Sequence, residues 1–259
     1  MFPLKDNIPT DRVPVITIAL IVINTLVYFV LQKGGIFHGP SDSNVVKWGA
    51  IPYEITHPGK ECALTVGAGG RQILCEGQAG VTGTAPSQPS TWVTIFTAMF
   101  MHGSILHLGG NMLFLWIFGN NVEDSMGYVK YVAFYILGGL AALGLQVLVD
   151  PSAAVPTVGA SGAIAAVLGG YIVLYPRARV VTVVFIILFF TILELPAIFI
   201  LGIWFLEQVL FGAYNLTDPT GGGGGVAYFA HVGGFAFGGA LIKLFATRVK
   251  QVPPRIPVY

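Results

Sequence analysis

The sequence predicts an all-α, polytopic integral membrane protein: a bundle of six transmembrane helices with one large outer loop after the first. Three observations carry that expectation. Of 259 residues, 54% are hydrophobic and only 10% charged, against roughly 25% charged in a soluble domain. The apolar residues are gathered into runs able to cross a hydrocarbon core of ~30 Å. The charges fall in clumps between those runs. A net charge of +1 points to no nucleic-acid partner, and the expected surroundings are a lipid bilayer.

The first run, residues 13–31, is interrupted only by Pro14, Thr17, Asn24 and Thr25. A secretory signal would have a shorter apolar core and a small-residue cleavage site, so a retained first span is expected. Residues 32–104 form the outer loop. Spans two to six follow at 105–122, 128–149, 161–175, 196–211 and 226–245, with a tail at 246–259 closing a single membrane domain over 1–259. Residues 176–195 read as a connecting segment. Their apolar stretch at 180–190 is too short to cross alone, and is expected to lie at, or dip into, the interface.

Basic residues set the orientation. Lys5 and Arg12 precede span one, Lys130 begins span three, and Arg177 and Arg179 follow span four. Lys243, Arg248, Lys250 and Arg255 lie at the end of the chain, whereas residues 150–158 and 212–225 contain no Lys or Arg. Both termini are therefore expected to be cytoplasmic, in a plasma-membrane protein. The two cysteines, Cys62 and Cys75, both fall in the exported loop, where a disulfide stapling a floppy insertion is expected. No third Cys or His completes a metal site there.

Polar side chains inside spans are costly and mark function by default. His107 and Asn111 lie in span two, with His102 just before it. Ser161 opens span four within Gly159-Ala160-Ser161-Gly162, and His231 lies in span six within Ala230-His231-Val232-Gly233-Gly234. Each has a bland reading as a packing serine or an interhelical hydrogen bond. With both termini inside, however, all of them fall in the outer turns of three different helices, near the outer face. Packing gives no reason for that shared depth, and an active site does. Span four is also short, about 22 Å, so Ser161 is expected at the floor of a depression that water can enter. Gly162, Ala166 and Gly170 on span four, and Gly234 and Gly238 on span six, have the small-residue spacing that lets helix backbones approach.

A serine hydroxyl needs a base to take its proton as it attacks. His231 is the only histidine in spans four to six, and it can later protonate the leaving amine. No carboxylate is placed to orient it, which points to a Ser–His dyad rather than a triad. The Ser161 amide, the His107 ring and the Asn111 amide are the candidate oxyanion donors, with His102 in a supporting role.

These residues resemble the rhomboid family of intramembrane proteases, from span one to span six. The resemblance rests on His102-x4-His107-x3-Asn111, on Gly159-x-Ser161-Gly162, and on Ala230-His231 followed by Gly234 and Gly238. The stretch from Asn111 to Gly119 and Glu194-Leu-Pro196 also look family-like. It implies Ser161 as nucleophile, His231 as base, His107 and Asn111 as oxyanion donors, no metal and no cofactor. Its expected partners are single-span membrane protein substrates; the oligomeric state is left open. Three departures stand out: Trp92 is followed by Val93 where many relatives have Trp-Arg, Ala165 stands where many have an aromatic ring, and residues 57–85 lie outside the common core. Glu123 and Asp124 read as structural anchors, residues 221–225 as a flexible outer loop that could cover the site, and the Pro253-Pro254-Arg255 tail as disordered. A proteolytically dead relative would typically lack the serine or histidine. A transporter predicts polar groups continuing to the inner face, and a zinc protease needs something like HExxH. The sequence has none of these features.

Overall fold

A computed structural model describes residues 2–67, 70–186, 189–217 and 226–251. The chain begins with strand β1 (Phe2–Asp6) and then enters α1 (Val15–Leu26), which continues as a π turn over Val27–Leu31. Pro14 cannot cap α1 through a side-chain acceptor. Instead the Glu123 carboxylate accepts from the amides of Ile16 (3.0 Å) and Thr17 (2.8 Å) and from the Thr17 hydroxyl (2.7 Å). A negative charge at a helix N-terminus also complements the helix dipole.

The loop after α1 is folded, which corrects the floppy insertion expected there. It contains α2 (Asp42–Trp48), α3 (Pro52–Thr56), a hairpin of β2 (Cys62–Gly67) and β3 (Gly70–Cys75), and α4 (Thr91–Thr97), followed by a 3₁₀ turn, Ala98–Phe100. Ser41 caps α2 by accepting from the Asn44 amide. Cys62 and Cys75 face each other in the hairpin register and are disulfide-bonded. They pack with Val46, Ile51 and Tyr53 in a small core of their own.

The chain then turns through 76° into one continuous helix, Ile105–Met126, made of α5 (Ile105–Phe114), a π turn at Leu115–Gly119 and α6 (Asn120–Met126). The helices α7 (Tyr128–Val149), α8 (Ser161–Leu174), α9 (Ala197–Thr217) and α10 (Tyr228–Phe245) complete the bundle. Helix α8 is its centre: every residue from Gly162 to Tyr171 is buried, as expected of a helix apolar all round. Helix α9 extends past the expected end at residue 211. Among the described residues, three helices (α7, α9 and α10) are long and apolar enough to cross a membrane, or four if the bent pair Thr91–Phe100 and Ile105–Met126 is one span; Val15–Leu31 and Ser161–Leu174 are apolar but shorter.

The connecting segment also departs from expectation, and with it the all-α description. Residues 176–195, read as an interfacial connector, contain β4 (Arg179–Ile186) and most of β5 (Phe189–Pro196), paired antiparallel. The run from Val180 to Val184 is rich in β-branched residues, which suit a pleated surface better than a helix. Strand β1 adds to the other edge of β4, giving a three-stranded sheet in the order β1-β4-β5. Among the described residues the protein is therefore mostly helical, with two small sheets.

Candidate active site

The site is built at the N-terminal ends of α5, α8 and α10 with one side chain pair from α9. Gly159 has φ +132°, a conformation that side-chain-bearing residues rarely adopt, and it turns the chain so that Ser161 becomes the first residue of α8. The first return hydrogen bond of α8 is Ile164 N–H to Ala160 O at 2.9 Å. The amides of Ser161, Gly162 and Ala163 thus have no acceptor within the helix, and they stand beside the Ser161 hydroxyl. Gly159 N–H donates to Ala98 O at 2.9 Å, fastening this turn to the end of the folded loop after α1.

His231 lies in the first turn of α10, whose Ala230 amide donates to Gln146 Oε1 on α7 at 3.2 Å. Its Nε2 is 2.8 Å from Ser161 Oγ. The approach depends on the glycines: a Cβ at Gly234 would collide with the Gly162 carbonyl, and one at Gly238 with the Ala166 carbonyl. Backbone therefore meets backbone along the α8–α10 contact, and Ser161 and His231 at its end come within hydrogen-bond reach.

His107 sits three residues into α5 from its cap, Ser104, whose Oγ accepts from the His107 amide at 3.1 Å. A Cβ at Gly159 would lie 2.9 Å from His107 Nε2 and 3.3 Å from Ser161 Oγ. The bare glycine thus keeps open a gap bordered by the imidazole and the serine. Asn111, one turn further, is buried, and its Nδ2 donates to His102 Nε2 at 2.9 Å. His102 is held in turn by Gln32, just after the π turn that follows α1. Gln32 Oε1 accepts from the His102 amide at 2.9 Å and its Nε2 donates to the His102 carbonyl at 3.1 Å. The His102 and His107 rings meet edge to face, 5.1 Å apart.

Ser161, His231, His107 and Asn111 all line one cavity of about 590 Å³, together with Gly159 and Gly162. Gly234 and Gly238 belong to the helix contact behind it, His102 stands behind Asn111, and Cys62 and Cys75 are bonded in the loop after α1. Residues 221–225, read as a possible cover, lie outside the described residues, as does the Pro253-Pro254-Arg255 tail. Two residues not anticipated from sequence flank the histidine, both on α9. Gln208 Oε1 is 2.7 Å from His231 Nδ1, and the Trp204 ring is 5.7 Å from the His231 ring. The available signal was Gln208 itself, a polar residue in an apolar run.

A hydroxyl bonded to an imidazole, beside unpaired helix N-terminal amides and a second imidazole, can support nucleophilic attack and stabilise the resulting oxyanion. Fold and site together define a helical membrane protein that carries a partly buried serine–histidine pair. Residues 89–248 match the Rhomboid domain family, and the chain belongs to it. Members of the family are generally serine proteases, and some are inactive. The chain is 32% identical over 152 residues to Rhomboid protein 1, mitochondrial, of Saccharomyces cerevisiae, covering 56% of this chain and 40% of that protein. It is 29% identical over 160 residues to Rhomboid-like protease 3 of Toxoplasma gondii (61% and 54%). It is 41% identical over 73 residues to Rhomboid-like protein 11, chloroplastic, of Arabidopsis thaliana (28% and 26%). Each match spans less than two thirds of the relative's length.

Proposed function

We propose that this chain is an intramembrane serine endopeptidase in which Ser161 is the nucleophile and His231 the general base. The observation that carries the reading is the 2.8 Å contact between Ser161 Oγ and His231 Nε2, lining a cavity in the bundle. In this mechanism Ser161 Oγ bonds to the scissile carbonyl carbon as its proton passes to Nε2. The carbonyl oxygen becomes an oxyanion, held by the Ser161 amide, the His107 ring and the second hydrogen of Asn111 Nδ2, the first being committed to His102. When the C–N bond breaks, His231 gives its proton to the departing amine. A water molecule, deprotonated by the same imidazole, then hydrolyses the acyl-serine and restores the hydroxyl.

The substrates proposed are single-span membrane proteins, cut where their helix unwinds. A volume of about 590 Å³ falls within the range of small-ligand pockets and suits a short extended segment better than an intact helix of ~10 Å diameter. The chain spans the bilayer six times in this reading, α1 and α8 being the short crossings, and lies in the plasma membrane with both termini cytoplasmic. Helix α8, at about 21 Å, then leaves Ser161 below the outer surface, where a water-filled depression can reach it.

The test is labelling of the detergent-solubilised protein with a fluorophosphonate, alongside cleavage of a single-span reporter. The parent should be labelled and active. Ser161→Ala should lose both properties, and His231→Ala should lose cleavage while still folding. Undiminished turnover in either variant overturns the dyad.

A further inference from the structure

We propose that Gln208 is the positioning residue for His231, holding its imidazole in the one neutral tautomer that can accept the Ser161 proton. The inference rests on the reading of His231 as general base and adds a third member to the pair. Its basis is the way the Gln208 amide is itself fixed. Gln208 Nε2 donates to the Trp204 carbonyl one turn earlier, at 3.3 Å, which leaves Oε1 facing His231 Nδ1 at 2.7 Å. An amide oxygen only accepts, so Nδ1 must carry the hydrogen. In a neutral imidazole Nε2 then holds the lone pair, and it faces the Ser161 hydroxyl at 2.8 Å.

The reversed amide fails on both sides. It would set Gln208 Oε1 against the Trp204 carbonyl oxygen, two acceptors with no hydrogen between them. It would also present an N–H to Nδ1, forcing the imidazole hydrogen onto Nε2 and disabling it as a base. The buried position of Gln208 explains why an amide rather than a carboxylate is suited to this role. A carboxylate there would have to be desolvated without a compensating cation, whereas an amide orients the ring while remaining neutral. Among the described residues no carboxylate hydrogen-bonds to His231. Helix α9 therefore supplies both fixtures of the ring, Gln208 at its edge and Trp204 against its flank.

The experiment compares the parent, Gln208→Leu, Gln208→Glu and His231→Ala, reconstituted into vesicles with a single-span reporter. Thermal unfolding checks that each is folded, and ¹⁵N NMR of labelled histidine reads the His231 tautomer. Gln208→Leu removes the acceptor at similar size and should lower kcat by roughly 10–10² with KM changed less than about 2-fold, as expected for a loss felt in the chemical step. Its His231 should lose the pure Nδ1–H signature. Gln208→Glu restores an acceptor, with the cost of desolvating its carboxyl group falling on the melting temperature, and should return kcat to within about 5-fold of the parent, which a merely structural role would not predict. Parental kcat in Gln208→Leu overturns the proposal, as does equal impairment of both Gln208 variants with His231 still in the Nδ1–H form. His231→Ala separates the two levels: if it still cleaves, the general-base reading itself fails. If it is dead while folded Gln208→Leu is unimpaired, only the assignment of Gln208 fails.

Discussion

At Gly159 the backbone takes φ +132° and a Cβ would reach to 2.9 Å from the His107 ring. Gly159→Ala therefore meets two separate penalties. The backbone strain should cost roughly 1–3 kcal/mol, and the added methyl should intrude on the gap where the oxyanion is proposed to form. The expected outcome is a lower melting temperature together with a fall in kcat greater than that loss of stability explains; a folded variant with parental kcat would show that the gap is not used. Asn111→Ala tests the neighbouring donor. It should lower kcat by about 10–10³ with little change in KM. Because Asn111 also satisfies His102 Nε2, some thermal stability should be lost as well. A variant that melts early but cleaves at the parental rate would make Asn111 a packing residue only.

Among the elements, the α8–α10 contact matters most, because the serine and histidine ride on its upper end. Gly234 faces the Gly162 carbonyl without room for a methyl group, whereas Gly144 on α7 has no atom within 4 Å of a would-be Cβ. Gly234→Ala should push the two helices apart and lengthen the Ser161–His231 contact, so cleavage should drop sharply. Gly144→Ala should leave cleavage intact and stabilise α7 by about 0.5–1 kcal/mol, the ordinary gain for replacing a helical glycine. Equal activity in the two variants would mean that close helix approach does not set the pair's geometry. The β2–β3 hairpin lies at the other extreme: its disulfide joins Cys62 and Cys75 within their own small core, and neither residue lines the cavity. Replacing both cysteines with serine should loosen the hairpin, measurable as faster hydrogen exchange there, while reporter cleavage survives.

Over the whole molecule, long-range polar contacts fasten the end opposite the site. Asp6 on β1 accepts from the Tyr171 hydroxyl at 2.5 Å and from Asn121 Nδ2 at 2.6 Å, joining the small sheet to α8 and α6. Burial raises the Asp6 carboxyl from the ordinary 3.8 to about 6, outweighing the Tyr171 hydrogen bond and the nearby Lys5 charge that lower it. Between those two values the folded protein binds more protons than the unfolded chain, so this contribution to stability is full below about pH 4 and lost as the pH rises through 6. Its size is on the order of 3 kcal/mol. Asp6→Asn removes the titration, so the melting temperature of the parent relative to the variant should be higher at pH 4 than at pH 7; a constant difference would contradict the linkage. Nearby, Asp124 accepts from Arg248 and from Lys250 (2.8 Å), and Lys250 also pairs with Asp11 (3.0 Å), binding the segment after α10 to the start of α1.

By itself the sequence determined the features written in composition and local spacing. Long apolar runs with few charges made the chain a membrane protein, and His102, His107, Asn111, Ser161 and His231 in their motifs identified the rhomboid family, because a polar residue in lipid is too costly to keep by chance. Glycines at i and i+4 likewise announced where helices approach. What needed the tertiary structure was the choice of partner between segments far apart in the chain. Nothing in the local pattern of Gln208 says that its oxygen faces His231 rather than another helix, since any polar group in a span seeks some partner. The apolar stretch after α8 was short enough to read as a connector, and only its pairing with β1, some 180 residues earlier, makes it the centre of a sheet. The outer loop looked floppy from its Gly, Ser and Pro content; it is folded because Val46, Ile51 and Tyr53 close over the disulfide. Periodicity and motif are properties of neighbours in sequence. Hydrogen-bond partners and strand order are decided by which distant surfaces satisfy one another when the chain closes.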